Sequence, residues 1–288
     1  MRYLHAHETA TRANWATTPL PAHALTQLAS TGFCVVPNWL SDEAVDAICH
    51  DAELCKAAGL ARRAGVGSTL RGATAIHQNE DVRRSSMMPL IPPPSPRAGV
   101  VDTRIRLAAA VHQLREELEA VDGLSLPTLA PFHTELAYLF YPVGGMYKRH
   151  IDVPSARGGW TLMGRSKADG GSFSGAALRR EVSMLLYLNR KWKADDGGQL
   201  RVFHTTDTAR CERHPHRIQH DDGDARVSGL EMYSDVLPEG GTLVLLRSDR
   251  VPHEVRPTRR ERQCVVGWFR AMATADVPYG EAFQTSVS

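Results

Sequence analysis

The chain has 288 residues, enough for one large β-domain with helical additions or for two small domains. Its 34 Lys and Arg against 32 Asp and Glu leave a formal net charge of +2, which excludes the strongly basic footprint of a bulk nucleic-acid binder. No stretch of about 18 consecutive apolar residues occurs, so no membrane-spanning helix is expected.

Residues 1–20 are polar and aperiodic and read as a loose leader without the apolar segment of a secretory signal. The five cysteines (Cys34, Cys49, Cys55, Cys211 and Cys264) are odd in number and show no C-x-x-C spacing. This usage fits reduced thiols, and a soluble cytoplasmic protein is expected. Gly32-Phe33-Cys34-Val35-Val36-Pro37 reads as a strand closed by proline. Ser41 then stands at an N-cap, Asp42 and Glu43 fill a first turn, and Val45, Ile48, Ala52 and Cys55 share one face, predicting a helix that ends near Gly59. Residues 65–84 have no clear period. Pro89-Leu90-Ile91-Pro92-Pro93-Pro94-Ser95-Pro96 reads as a stiff connector in preference to a ligand for a proline-recognising module. Asp102 opens a second helix with Leu107, Val111, Leu114 and Leu118 on one stripe, ending before Asp122-Gly123. Residues 21–130 are thus expected to be a helical support region.

From Thr134 onward the texture changes to short apolar runs at 136–141, 182–188, 199–203, 242–246 and 264–269, separated by glycine and charge. Such runs predict a sandwich or barrel of the jelly-roll kind over 131–275, followed by a tail, 276–288. The fold class is therefore mainly β with N-terminal helices. Two stretches fit no strand, 155–179 and 205–229. Loops this long inside a compact domain are uncommon and often functional.

Side chains two apart on a strand face the same way, so His150 and Asp152 can both point inward from one strand end. With His253 they make two imidazoles and one carboxylate, the facial set that holds non-haem Fe(II) and leaves coordination positions open. His-x-Asp alone carries little weight, because thirteen histidines generate about one such triplet by chance. Arg262 follows His253 closely, where an anionic co-substrate bound at the metal would need a partner. As a charge run, Arg256, Arg259, Arg260 and Arg262 together read as a solvated hairpin face. Lys148 and Arg149 have two open readings, attraction of an anion and surface solvation. A rival cluster, Cys211, His214, His216 and His220, offers enough ligands for zinc. Its spacing fits no recognised finger and Pro215 stiffens it, so a polar insertion loop is expected. His133 and Glu135 form a second His-x-acid pair but lack a second histidine with an arginine partner, and they read as strand-edge residues.

The combination resembles the 2-oxoglutarate/Fe(II) oxygenases, and among them the prolyl 4-hydroxylases of the hypoxia-sensing type. The resembling stretches are 141–152 (Tyr141 to Asp152), 186–192, 197–203 and 247–257, then Arg262 and Trp268, over about half the chain. The resemblance implies a double-stranded β-helix core, iron held by His150, Asp152 and His253, and 2-oxoglutarate as co-substrate with its distal carboxylate on Arg262. Tyr187 resembles the tyrosine that hydrogen-bonds that carboxylate, Tyr141 one lining its pocket, and Trp268 a tryptophan beside the iron. Asp81-Val82-Arg83-Arg84 resembles a substrate-side segment, with Ser85 where an acid is expected. A hairpin between His253 and Arg262 is expected to put the two on neighbouring strands. The implied reaction hydroxylates a prolyl residue of a protein or peptide and releases succinate and CO2, with ascorbate as accessory reductant. The segment from Tyr141 to His150 is one residue shorter than in that family, and the 155–179 loop is longer. A small-molecule substrate such as free proline, and a non-catalytic jelly-roll binding module, are the alternative readings.

Overall fold

The structure is a computed structural model, and it describes residues 15, 17–70, 73–90, 98–131, 134–152, 178–204 and 232–272. The Cys211/His214/His216/His220 cluster, His133, most of the 155–179 loop and the C-terminal tail lie outside these residues.

Two antiparallel sheets face each other as a jelly roll. The major sheet runs β1 (Phe33–Val36), β12 (Leu243–Arg247), β9 (Leu178–Tyr187), β14 (Arg262–Met272), β7 (Glu135–Tyr141), β6 (Ser86–Pro89) and β2 (Arg62–Arg63). The minor sheet runs β11 (Tyr233–Val236), β10 (Leu200–Phe203), β13 (His253–Val255), β8 (Met146–His150) and β5 (Arg83–Arg84). A separate hairpin pairs β3 (Val66–Leu70) with β4 (Ala73–His77), in the stretch whose sequence shows no period.

The major sheet is apolar on both faces, which explains its continuous hydrophobic runs. Leu136, Tyr138 and Phe140 of β7 point to the helices, whereas Ala137, Leu139 and Tyr141 point into the barrel. On β14, Cys264, Val266 and Trp268 face inward and Val265 and Phe269 face outward. Each fully buried side chain of this size stabilises the fold by about 1.5–3 kcal/mol.

Among the described residues, three α-helices cover the outer face: α1 (Ala22–Thr31), α2 (Asp42–Ala57) and α3 (Val101–Glu119). Ser41 caps α2 by accepting from the Ala44 amide at 3.3 Å, and Leu107, Val111, Leu114 and Leu118 of α3 are buried. The α1 helix, not evident in the sequence, ends on Gly32 at φ 81°, where its N–H donates to the Leu28 carbonyl. Any side chain at Gly32 would be strained and would meet Val251. Gly32 therefore closes a helix instead of opening the strand that follows.

Asp51 joins these layers. Its fully buried carboxyl accepts from Tyr138 Oη at 2.6 Å and from the Val100 amide, and it faces Arg104 Nε at 3.4 Å. Asp51→Ala should destabilise the protein by about 3–5 kcal/mol, because it removes the counter-charge beside a buried guanidinium and the acceptor of a buried phenol. A urea-denaturation midpoint within experimental error of wild type would disprove that role.

Candidate metal and co-substrate site

The end of β8 and the start of β13 meet at the barrel mouth, where His253 stands opposite His150 in the antiparallel ladder. Asp152, two residues past β8, turns its carboxylate between them. Oδ1 lies 3.5 Å from His150 Nε2 and Oδ2 lies 3.7 Å from His253 Nε2. These separations are long for hydrogen bonds. They are close to the spacing of donors that share one ion at about 2.1 Å each. The three ligand atoms all fall within 4.8 Å of one another.

Tautomers are arranged to match. His150 Nδ1 lies 2.8 Å from the Lys148 carbonyl and His253 Nδ1 lies 3.1 Å from the Val251 carbonyl. A carbonyl only accepts, so each ring donates through Nδ1–H and turns the lone pair of Nε2 toward Asp152. Burial, and then the neighbouring His150, hold His253 down to about 4. Burial pushes the Asp152 carboxyl up, but His253, His150 and Arg180 outweigh it and hold it well below the usual carboxylate range. Neutral imidazole and ionised carboxylate are the forms that ligate a metal.

Deeper in the barrel, Arg262 begins β14 and is wholly buried. Its Nε donates to the Gly198 carbonyl at 3.0 Å, and one terminal nitrogen reaches Cys264 Sγ at 3.6 Å. The other terminal nitrogen is buried without a hydrogen-bond partner, as is the Tyr187 hydroxyl. The guanidinium lies 4.8 Å from the Tyr141 ring and 5.0 Å from the Tyr187 ring. Among the described residues no carboxylate pairs with it. Gly198, at φ 66°, leaves the room: a Cβ there would press on Arg262 Cδ at 3.1 Å. Asn189 anchors the same corner, accepting from the Gln263 amide and donating to the Pro238 carbonyl, each at 2.7 Å.

His253 and Arg262 do not lie on neighbouring strands. β13 pairs with β8 and β10 in the minor sheet, whereas β14 pairs with β7 and β9 in the major sheet. The connection between them crosses from one sheet to the other, as jelly-roll closure requires. The metal ligands and the arginine therefore face each other across the barrel interior.

A group at the rim is not evident in the sequence. Arg180 of β9 forks onto Glu135 at 3.0 and 2.6 Å, lies 3.8 Å from the Trp268 ring, and donates to the Asp152 carbonyl at 3.3 Å. Glu135 thus forms part of a structured ion pair, beyond the strand-edge role its position predicts. Arg83 lies 4.5 Å from the Tyr147 ring, which stacks at 3.6 Å on His150. Ser85 accepts from Arg83 Nε at 3.0 Å. Arg149 is exposed and lies over Phe203 at 4.0 Å, away from the metal ligands.

Residues 136–270 match the family model of the 2OG-Fe(II) oxygenase superfamily. Among solved structures the chain is similar to a Pseudomonas putida prolyl-4-hydroxylase, with 28% identity and a TM-score of 0.58 over 87% of this chain and 98% of that one. A Trichoplax adhaerens prolyl hydroxylase, solved with a hypoxia inducible factor oxygen degradation domain peptide fragment, aligns at 19% identity and a TM-score of 0.58 over 85% of this chain and 86% of that one. The non-heme alpha ketoglutarate dependent epimerase SnoN from nogalamycin biosynthesis aligns at 15% identity and a TM-score of 0.53 over 88% of this chain and 83% of that one. The likeness to the last two is one of fold. No curated protein matches the sequence. The His-Asp-His triad at the mouth of the jelly roll lies within the stretch that matches the 2OG-Fe(II) oxygenase superfamily model.

Proposed function

We propose that the protein is an Fe(II)- and 2-oxoglutarate-dependent dioxygenase that hydroxylates a prolyl residue of a protein or peptide, releasing succinate and CO2. The observation that carries the co-substrate reading is the pair of unpartnered polar atoms at the barrel's inner end, one Arg262 nitrogen and the Tyr187 hydroxyl. A buried guanidinium with no acid beside it is costly unless an anion completes it. A carboxylate between Arg262 and Tyr187 supplies that anion, and the planar fork of arginine fits it.

His150, Asp152 and His253 fit an iron ion as two imidazoles and one carboxylate, leaving part of its sphere open. When bound, iron and the keto acid supply the oxygen activation; ascorbate is assigned the role of accessory reductant. The chain's own residues bind and orient. Arg262 and Tyr187 take the distal carboxylate, Tyr141 walls the pocket, and the two histidines keep their Nε2 lone pairs aimed through backbone bonds. Trp268 and Arg83 are assigned to the substrate side.

The prolyl assignment is supported by the likeness to the Pseudomonas putida enzyme, which extends over nearly the whole of both chains. Its test is incubation of the full chain with Fe(II), 2-oxoglutarate and proline-containing peptides, followed by mass spectrometry. The expected result is one oxygen gained on a proline for each succinate formed. Hydroxylation of free proline with every peptide left unmodified would assign a small-molecule substrate instead.

A further inference from the structure

Asp152 is the member of the triad that no strand holds. His150 ends β8 and His253 opens β13, so the same ladder fixes both. Asp152 lies beyond that ladder, and its backbone carbonyl accepts from an Arg180 terminal nitrogen at 3.3 Å. Among the described residues no other donor reaches that carbonyl.

Arg180 is itself aimed from three directions. Its Nε and second terminal nitrogen form a bidentate fork on Glu135, at 3.0 and 2.6 Å. Its guanidinium lies 3.8 Å from the Trp268 ring. Glu135 is steadied in turn by Arg270 at 3.6 Å. These residues come from β9, β7 and β14, three adjacent strands of the major sheet. A planar guanidinium that is both forked and stacked has little rotational freedom, and its remaining nitrogen points at Asp152. A lysine offers one point of charge and cannot satisfy fork, ring and carbonyl together. The major sheet thereby reaches across the barrel mouth to a ligand segment that its own sheet leaves untied.

We infer that Arg180, aimed by Glu135 and Trp268, is a positioning residue that holds Asp152 in ligating geometry and so sets the triad's affinity for its divalent ion. The inference rests on the reading of His150, Asp152 and His253 as a metal site. Loss of an outer-shell partner typically weakens metal binding about 10–100-fold. Glu135→Gln should act in the same direction, because it releases the fork that aims Arg180.

The test is titration of Mn(II), a redox-silent stand-in for Fe(II), into the metal-free full chain, with urea-denaturation midpoints measured in parallel. Wild type should bind, and His253→Ala should not. Arg180→Gln should weaken binding about 10–100-fold. The Glu135→Gln/Arg180→Gln double variant should bind no more weakly than Arg180→Gln alone, since both remove one device. A merely structural role would lower the urea midpoint and leave Mn(II) affinity untouched, and that result overturns the inference. If Arg180→Gln does not fold, Arg180→Lys is measured instead; an intermediate loss supports the inference, and wild-type affinity overturns it. If wild type binds Mn(II) no better than His253→Ala, the metal reading fails and the inference with it.

Discussion

Replacing Arg262 by glutamine is expected to raise the 2-oxoglutarate concentration needed for half-maximal turnover by about 100-fold or more, with metal affinity unchanged. Hydrogen bonds to a charged group contribute about 1.5–3 kcal/mol each. Loss of a two-point carboxylate contact therefore costs about 3 kcal/mol or more, which is about two decades of affinity. The co-substrate-free variant should be at least as stable as wild type, because the wild-type guanidinium is buried with one nitrogen unpartnered. Adding 2-oxoglutarate should then raise the melting temperature of wild type and leave that of Arg262→Gln unmoved. Steady-state kinetics and thermal denaturation with and without 2-oxoglutarate check both halves. An unchanged requirement would mean that another arginine holds the co-substrate.

His253→Ala should remove metal binding and bring succinate formation down to background. Four-ligand structural sites bind zinc with about 10–16 kcal/mol, or about 2.5–4 kcal/mol per ligand. Losing one ligand from this three-residue set is therefore expected to cost about 100- to 1000-fold in affinity. The substitution also leaves the buried Val251 carbonyl without its 3.1 Å partner. A folding cost of about 1–3 kcal/mol follows from that alone. Circular dichroism separates the two effects: the variant should keep its β signature while binding no metal. Retained metal affinity in a folded His253→Ala protein would remove His253 from the ligand set.

The major sheet was legible in the sequence because both of its faces are buried. Its strands read as unbroken apolar runs whose alternate residues serve the helices and the barrel. The minor sheet was far less so. β8 is Met146-Tyr147-Lys148-Arg149-His150 and β13 is His253-Glu254-Val255, short strands that mix charged residues with the metal ligands. Pattern alone does not mark them; only the resemblance to oxygenases did. Among the arginines after His253, the charge run by itself treats all four alike, and only the place of Arg262 after the second histidine and the resemblance single it out. Arg256 pairs with Glu254, Arg260 pairs with Asp196, and Arg259 bonds the Asp195 carbonyl at the surface. Arg262 alone of the four enters the core, because it shares strand parity with Cys264 and Val266. The Arg180–Glu135 fork stayed hidden for a different reason. Its members are far apart in sequence and sit on strands separated by β14, so only the folded sheet shows that they touch.

On the proposed reading, the triad and Arg262 make one working iron and 2-oxoglutarate site. Succinate released from 2-oxoglutarate by the full chain, under air and with Fe(II), tests it most directly. Succinate should accumulate, should require both iron and dioxygen, and should disappear in Asp152→Ala. Succinate formed at the same rate by Asp152→Ala, or by wild type stripped of iron, would contradict the account.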